Sequence, residues 1–212
     1  MSIPEFDSDF GVKLDELLHW RRDVRHFKAD VIEPELVRTL LEKAMRAPSV
    51  GYSQPWRWVI VQSDEMRSAV LKEFEHCNAE ALEGYGGEVA NLYAKLKLSG
   101  LREAPVQIAV FMDCAAETGK GLGQRTMPET RTWSVVMAIH TLWLTARAAG
   151  LGLGWVSILK PDAMRDILEI SEDFRFVAYL CIGVAEEDRE TPLLERVGWE
   201  KKLNGEDLIF FR

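Results

Sequence analysis

The sequence is poor in the residues that fix small proteins by covalent or metal cross-links. It has three cysteines in 212 residues, Cys77, Cys114 and Cys181. They are far apart and odd in number, which argues against a disulfide framework and for reduced thiols. No Cys-x-x-Cys or His-Glu-x-x-His occurs. His19, His26, His76 and His140 share no ligand spacing, so no metal is expected. Bases are in the minority, 26 against 34 acids, for a net charge of −8. A chain of that sign is a poor partner for nucleic acid or an anionic membrane. The most apolar segment, Trp133–Ala149, is short and carries His140 and Arg147. A membrane span is therefore not expected. The opening residues, MSIPEFDSDF, lack the basic-then-apolar order of a secretion signal, and the expected location is cytoplasmic. Repeats, low-complexity runs and linkers are also missing.

Hydrophobic residues make up 47% of the chain. That suits a single domain over residues 1–212 with its own core. Apolar spacing predicts helices over Leu14–Asp23, Pro34–Ala47, Ser63–Ala81 and Trp133–Ala149, with Gly150 ending the last. A short helix is expected at Pro161–Ile170. Strands are expected at Trp58–Val61, Val106–Met112, Leu153–Ile158 and Phe176–Val184. Helices and strands intermix, which gives an α+β class. The tail, 201–212, carries Leu208-Ile209-Phe210-Phe211, an apolar run that needs a surface such as a second subunit.

Two glycine clusters fail as nucleotide motifs. Gly150, Gly152 and Gly154 have the wrong spacing and lie between a helix and a strand, the reverse of a dinucleotide fingerprint. Gly119–Gly123 has no Ser or Thr after its lysine.

Two other stretches hold more promise. Arg21, Arg22 and Arg25 surround Asp23 and Val24 in an otherwise acidic chain. If the first helix continued to Arg25, Arg21 and Arg25 would share a face and clamp a phosphate. A solvated helix end explains them equally well. APSVGYSQPW, Ala47–Trp56, offers a hydroxyl, an amide and free backbone groups after a helix. These suit a polar heteroaromatic ring better than a core, with a proline-rich connection as the alternative.

RRDVR after the first helix, APSVGYSQPW after the second and GLGLGWVSI late in the chain together resemble the nitroreductase-like flavoprotein family. The resemblance spans roughly Leu14–Leu203. It implies a nitroreductase-like fold, a central mixed sheet flanked by helices, in a homodimer with an extended C-terminal tail and FMN at the subunit interface. By resemblance, Arg21, Arg22 and Arg25 hold the phosphate and ribityl chain, and Ser49, Gln54 and Pro55 lie along the flavin. Further contacts are implied from Asp23, Val24, Leu98, Leu101, Trp133, Ser134, Gly154, Trp155 and Val156.

Asp23, Tyr52, LKLSGLREAP (Leu96–Pro105) and GWVSI (Gly154–Ile158) are similar to one subgroup. In it, reduced FMN is a substrate, fragmented with molecular oxygen to give the lower base of vitamin B12. A separate NAD(P)H-dependent flavin reductase supplies the reduced FMN. The positions matching Asp23 and Ser157 are the expected catalytic pair, and a segment matching about 84–103 forms a lid. The alternatives are an NAD(P)H-dependent FMN nitroreductase, or flavin or corrin reductase, and a flavin-binding protein without turnover.

Overall fold

The structure, a computed structural model, describes residues 3–96 and 99–212. Four strands form the described sheet: β1 (Trp56–Ile60), β2 (Val106–Asp113), β3 (Gly152–Val156) and β4 (Phe174–Gly183). Their order is β1-β2-β4-β3, and neighbouring strands run antiparallel. A parallel bridge from Asp23 to Leu153 makes the sheet mixed at its β3 edge. The helices in chain order are α1 (Ser8–Trp20), α2 (Pro34–Ala44), α3 (Asp64–Glu83), α4 (Gly87–Lys95), α5 (Gly100–Glu103), α6 (Thr130–Ala148), α7 (Pro161–Ile167) and α8 (Leu193–Arg196).

Every residue of β2 is buried, because helices cover both faces of the sheet. Ile108, Val110 and Met112 point to one face with Ala178, Leu180 and Ile182, where α2 and α6 pack. Ala109 and Phe111 point to the other with Tyr179 and Cys181, against Val70 and Phe74 of α3 and Met164 of α7. The period of two holds until Val110/Phe111, where the register with β4 shifts and Val177 becomes the extra residue. Phe176 therefore joins the α3 face, beside Phe111 at 5.6 Å.

The α+β arrangement with flanking helices is as the sequence implied. Three details differ. The first helix stops at Trp20, because Arg21 is extended (φ −69°, ψ 118°) and the chain then pairs with β3. The arginines thus do not sit on a helix face. β3 stops at Val156, so Ser157 is past the strand and exposed. The proposed lid is two helices, α4 and α5, and Leu98 lies outside the described residues. In the tail, Leu208 to Phe211 are 60–89% exposed.

Candidate active site

The arginine segment is held as an added strand. Val24 N–H donates to Leu153 O at 3.1 Å. Asp23 Oδ1 accepts from Trp155 N–H at 3.0 Å, and its Oδ2 accepts from Arg25 Nε at 3.1 Å. Such a close approach requires glycine in β3. A Cβ at Gly154 would sit 2.1 Å from Val24 O, and one at Gly152 2.7 Å from Val24 Cγ2. Gly150, at φ +77°, ends α6: Leu151 N–H reaches Ala146 O and Gly150 N–H reaches Arg147 O. The three glycines serve chain packing, not a nucleotide loop.

From the other side, α6 supports the same segment. Trp143 Nε1 donates to Arg22 O at 3.1 Å, and the Arg21 guanidinium lies 4.9 Å from the Trp143 ring centre. Arg22 turns away and donates from Nε to Glu190 O at 2.7 Å.

These contacts form one wall of a cavity of about 300 Å³. Arg21, Arg22, Arg25, Arg147, Arg189 and Arg196 line it, against Asp23, Glu187 and Asp188. Six arginines against three acidic residues leave a local positive excess in an acidic chain. Burial, then the neighbouring Arg22 charge, lowers Arg21 from the usual arginine range, while Asp23 opposes them. An entering anion would relieve both effects. Glu187 pairs with Arg189 and lies 3.8 Å from Arg196, and Asp188 holds Arg147 at 2.6 Å.

The loop Ala47–Trp56 is at the other end of α6. Ser49 Oγ accepts from Gln54 N–H at 3.1 Å, and Ser134 Oγ accepts from Val50 N–H at 3.0 Å. Gly51, Tyr52 and Gln54 have φ of 56°, 56° and 48°. For Tyr52 and Gln54 this left-handed backbone costs about 1–2 kcal/mol each. Gly51 packs backbone to backbone on Gly119, where a Cβ would meet Gly119 O at 2.9 Å. Tyr52 is 78% exposed, and Gln54 is also exposed.

The structure brings together Arg21, Arg22, Asp23, Val24, Arg25, Gly154, Trp155 and Val156, all of which except Arg21 and Arg22 also line a small cleft with Gly100 and Cys181. Within the chain it does not join them to Ser49, Gln54 and Pro55. Ser134 and Trp143 mark the two regions on α6, about 13 Å apart along its axis. Some of the expected contacts also have structural partners within the chain. Ser134 is buried, and its hydroxyl already bonds Thr130 O and Val50 N–H. Leu101 is buried in the core on the α3 face, and Pro55 is buried too, with its carbonyl accepting from Asp113 N–H. Trp133 is exposed beside the loop end of α6.

Sequence reasoning missed Arg147, Arg189 and Arg196, because their distance along the chain from Arg21 bears no motif spacing. Cys181 is inert: burial, then the charge of Asp23, pushes its thiol up to about 12. Among the described residues no cluster of three or more His, Cys, Asp or Glu could hold a metal, and no helix is long and apolar enough to cross a membrane.

The sequence pattern of the nitroreductase family matches residues 18–184. A 5,6-dimethylbenzimidazole synthase of Rhodospirillum rubrum is 54% identical over 199 residues, covering 94% of each chain. One from Rhodobacter capsulatus is 49% identical, covering 93% of this chain and 96% of its own. In overall fold the chain is similar to iodotyrosine deiodinase bound to FMN and 3-iodo-L-tyrosine. That match has a TM-score of 0.71 and 23% identity, covering 83% of this chain and 91% of the other. A nitroreductase-like protein of Streptococcus mutans gives a TM-score of 0.72 at 17% identity, covering 95% and 98%.

Proposed function

The chain belongs to the nitroreductase family and is an enzyme with 5,6-dimethylbenzimidazole synthase activity; we propose that it acts on reduced FMN seated in the arginine cavity, with Asp23 and Ser157 at the reacting atoms. The activity rests on 54% identity across 94% of a synthase. The site rests on one observation, six arginines lining one cavity together with Asp23.

The residues present fit FMN. A phosphomonoester dianion suits planar, bidentate donors, and Arg21 and Arg25 supply them from one extended segment, while Arg22 braces that segment against Glu190 O. The cavity is at the small end of ligand pockets, which suits a phosphate and its sugar-alcohol chain. The flavin ring then needs a second surface. The Ser49–Gln54 loop has the right groups, but within one chain it is at the far end of α6. A second copy supplies it: Trp133, Val136 and Met137 form an exposed apolar stripe on α6, and the tail is apolar and uncovered. The enzyme is accordingly a homodimer with sites shared between copies.

When bound, reduced FMN supplies the electrons for oxygen and the carbon framework of the product. The chain's own groups hold it and move protons. Asp23 is fixed by Trp155 N–H and Arg25, so its carboxylate can accept a proton from the ribityl chain without changing position. Ser157, two residues beyond Trp155, can donate its hydroxyl proton from the end of β3. The α4–α5 segment shields the site from water. A separate NAD(P)H-dependent reductase delivers the reduced flavin, in a cytoplasmic setting.

The test is an incubation of the purified protein with anaerobically reduced FMN, followed by oxygen. Chromatography and mass spectrometry should detect 5,6-dimethylbenzimidazole from the unaltered chain and none from Asp23→Asn. Recovery of intact FMN with steady oxidation of added NAD(P)H would favour the ordinary reductase instead.

A further inference from the structure

Beyond the arginine cavity, the C-terminal arm does something its sequence does not advertise. α8 carries Arg196 on the cavity wall. It ends in a tight turn: Gly198 N–H donates to Glu195 O at 3.1 Å and Trp199 N–H to Leu194 O at 2.8 Å. Gly198 has φ +77°, so the pair of bonds makes the turn in which a left-handed glycine closes a helix. Trp199 is thereby fixed relative to Arg196, three residues earlier.

Trp199 is half-buried, and its neighbours are aromatic. Its ring is 5.8 Å from Tyr85, edge on, and 6.3 Å from Tyr93 of α4. Tyr85 and Tyr93 are 4.9 Å apart. The hydroxyl of Tyr93 donates to Asn78 Oδ1 of α3 at 2.9 Å. The arm therefore touches the arginine cavity at one end and α4 at the other. α5 is tied to the arginine segment separately, through Phe27 N–H to Glu103 Oε2 at 3.0 Å.

We infer that Trp199 is a positioning residue that couples occupancy of the arginine cavity to the seating of α4 against α3. The inference rests on the proposed reading that the cavity takes the phosphate of FMN. Without an anion, Glu187 pairs with Arg189 and sits near Arg196. A phosphate competes with Glu187 for these guanidiniums and draws α8 against the cavity. The rigid turn carries that shift to Trp199, and the aromatic contacts carry it to α4.

Inorganic phosphate separates this coupling from direct contact with flavin, because among the described residues none from α4 lines the cavity. Hydrogen–deuterium exchange on the full chain reads both ends. Saturating phosphate should slow exchange in 193–199 and in 87–94, by about tenfold at the most affected amides. In Trp199→Leu, phosphate should still protect 193–196 but no longer 87–94. Trp199→Phe should restore both. With reduced FMN, Trp199→Leu should keep KM within about threefold while kcat falls about tenfold or more, with oxygen diverted to hydrogen peroxide.

Protection of 193–199 without protection of 87–94 in the unaltered chain would overturn the coupling and leave the phosphate site standing. Equal protection of 87–94 in Trp199→Leu would overturn it as well. Protection of neither segment would remove the phosphate site and the coupling with it. If Trp199→Leu fails to fold, Gly198→Ala serves: a Cβ there meets nothing within 4 Å, so it disturbs only the turn. It should likewise uncouple 87–94 from phosphate, and unchanged coupling there would sink the inference.

Discussion

The two ends of α6 present opposite kinds of surface. Near Trp143 and Arg147 the chain closes a cavity with its own residues, and each Asp23 oxygen has a fixed partner. Near Trp133 the loop holds Tyr52 and Gln54 in costly backbone conformations, then leaves both exposed. Strain of this kind persists only where the surroundings enforce it, here Ser134 below and Gly119 behind. One end is finished within the chain, and the other is prepared for something the chain alone does not contain. Under the proposed two-fold dimer, those would be the halves of one site.

The sharpest contrast is at Asp23. Asp23→Asn retains an oxygen for Trp155 N–H but loses the charge and the proton acceptor. Product formation should fall by about 10²–10⁴-fold. FMN binding, measured by fluorescence quenching, should change little, since the arginines remain. An equal loss of binding would make Asp23 a holder of arginines and not a proton acceptor.

The next effect tests whether the two ends serve one site. Arg21→Ala with Arg25→Ala should weaken FMN binding by about ten- to hundredfold for each charge-assisted hydrogen bond removed. Ser49→Ala with Gln54→Ala should weaken it less. Mixed and allowed to exchange subunits, the two variants should recover about a quarter of the unaltered activity, because each mixed dimer regains one intact site. Absence of recovery, with exchange verified by mass spectrometry, would mean that each chain builds its site alone.

The fold was largely legible because its signals are local. Burial of every β2 residue follows from an apolar run, and Ser63 caps α3 by accepting from Met66 N–H. The arginine segment was legible in identity but not in conformation. Periodicity from Leu14 carried the helix past Trp20, whereas the true end is imposed by β3, which lies far away in sequence. Arg189 and Arg196 were illegible for a related reason. Nothing near them marks a site, and only the return of the C-terminal arm to α1 and α6 gives them a role. Ser134 shows the converse, a residue singled out by resemblance whose part in pinning the loop from beneath the sequence did not reveal.

Gly154 sharpens the finished end. With a Cβ position 2.1 Å from Val24 O, Gly154→Ala must push the arginine segment off β3. Overpacking of this kind costs about 1–3 kcal/mol. Tm should fall by about 2–4 °C for each kcal/mol in a chain of this size. FMN binding should weaken in parallel, because Asp23 and Arg25 move with Val24. Gly86→Ala is the control: its Cβ meets nothing within 4 Å, and Tm should not drop. A Gly154→Ala protein with unaltered Tm and binding would show that the segment is not held by β3.

The smallest effect belongs to Glu187, which stands in the cavity where an anion would. The hydrogen bond from Arg189 comes first in holding its carboxyl below the usual glutamate value, and the charges of Arg189, Arg196 and His26 add to it against desolvation. A depressed carboxylate stabilises the fold above its unfolded pKa, and that contribution is lost as pH falls through the folded value. The unaltered chain should therefore be slightly the more stable of the two at neutral pH, and the Tm curves of it and Glu187→Gln should converge in acid. Because the pair is exposed, the gap should be small. Binding should move the other way. Phosphate no longer has to displace a carboxylate, so Glu187→Gln should bind FMN more tightly, by less than about fivefold. Titration calorimetry at pH 7 gives the sign. Weaker binding in Glu187→Gln would mean that Glu187 orients Arg189 and Arg196 for the phosphate and does not compete with it.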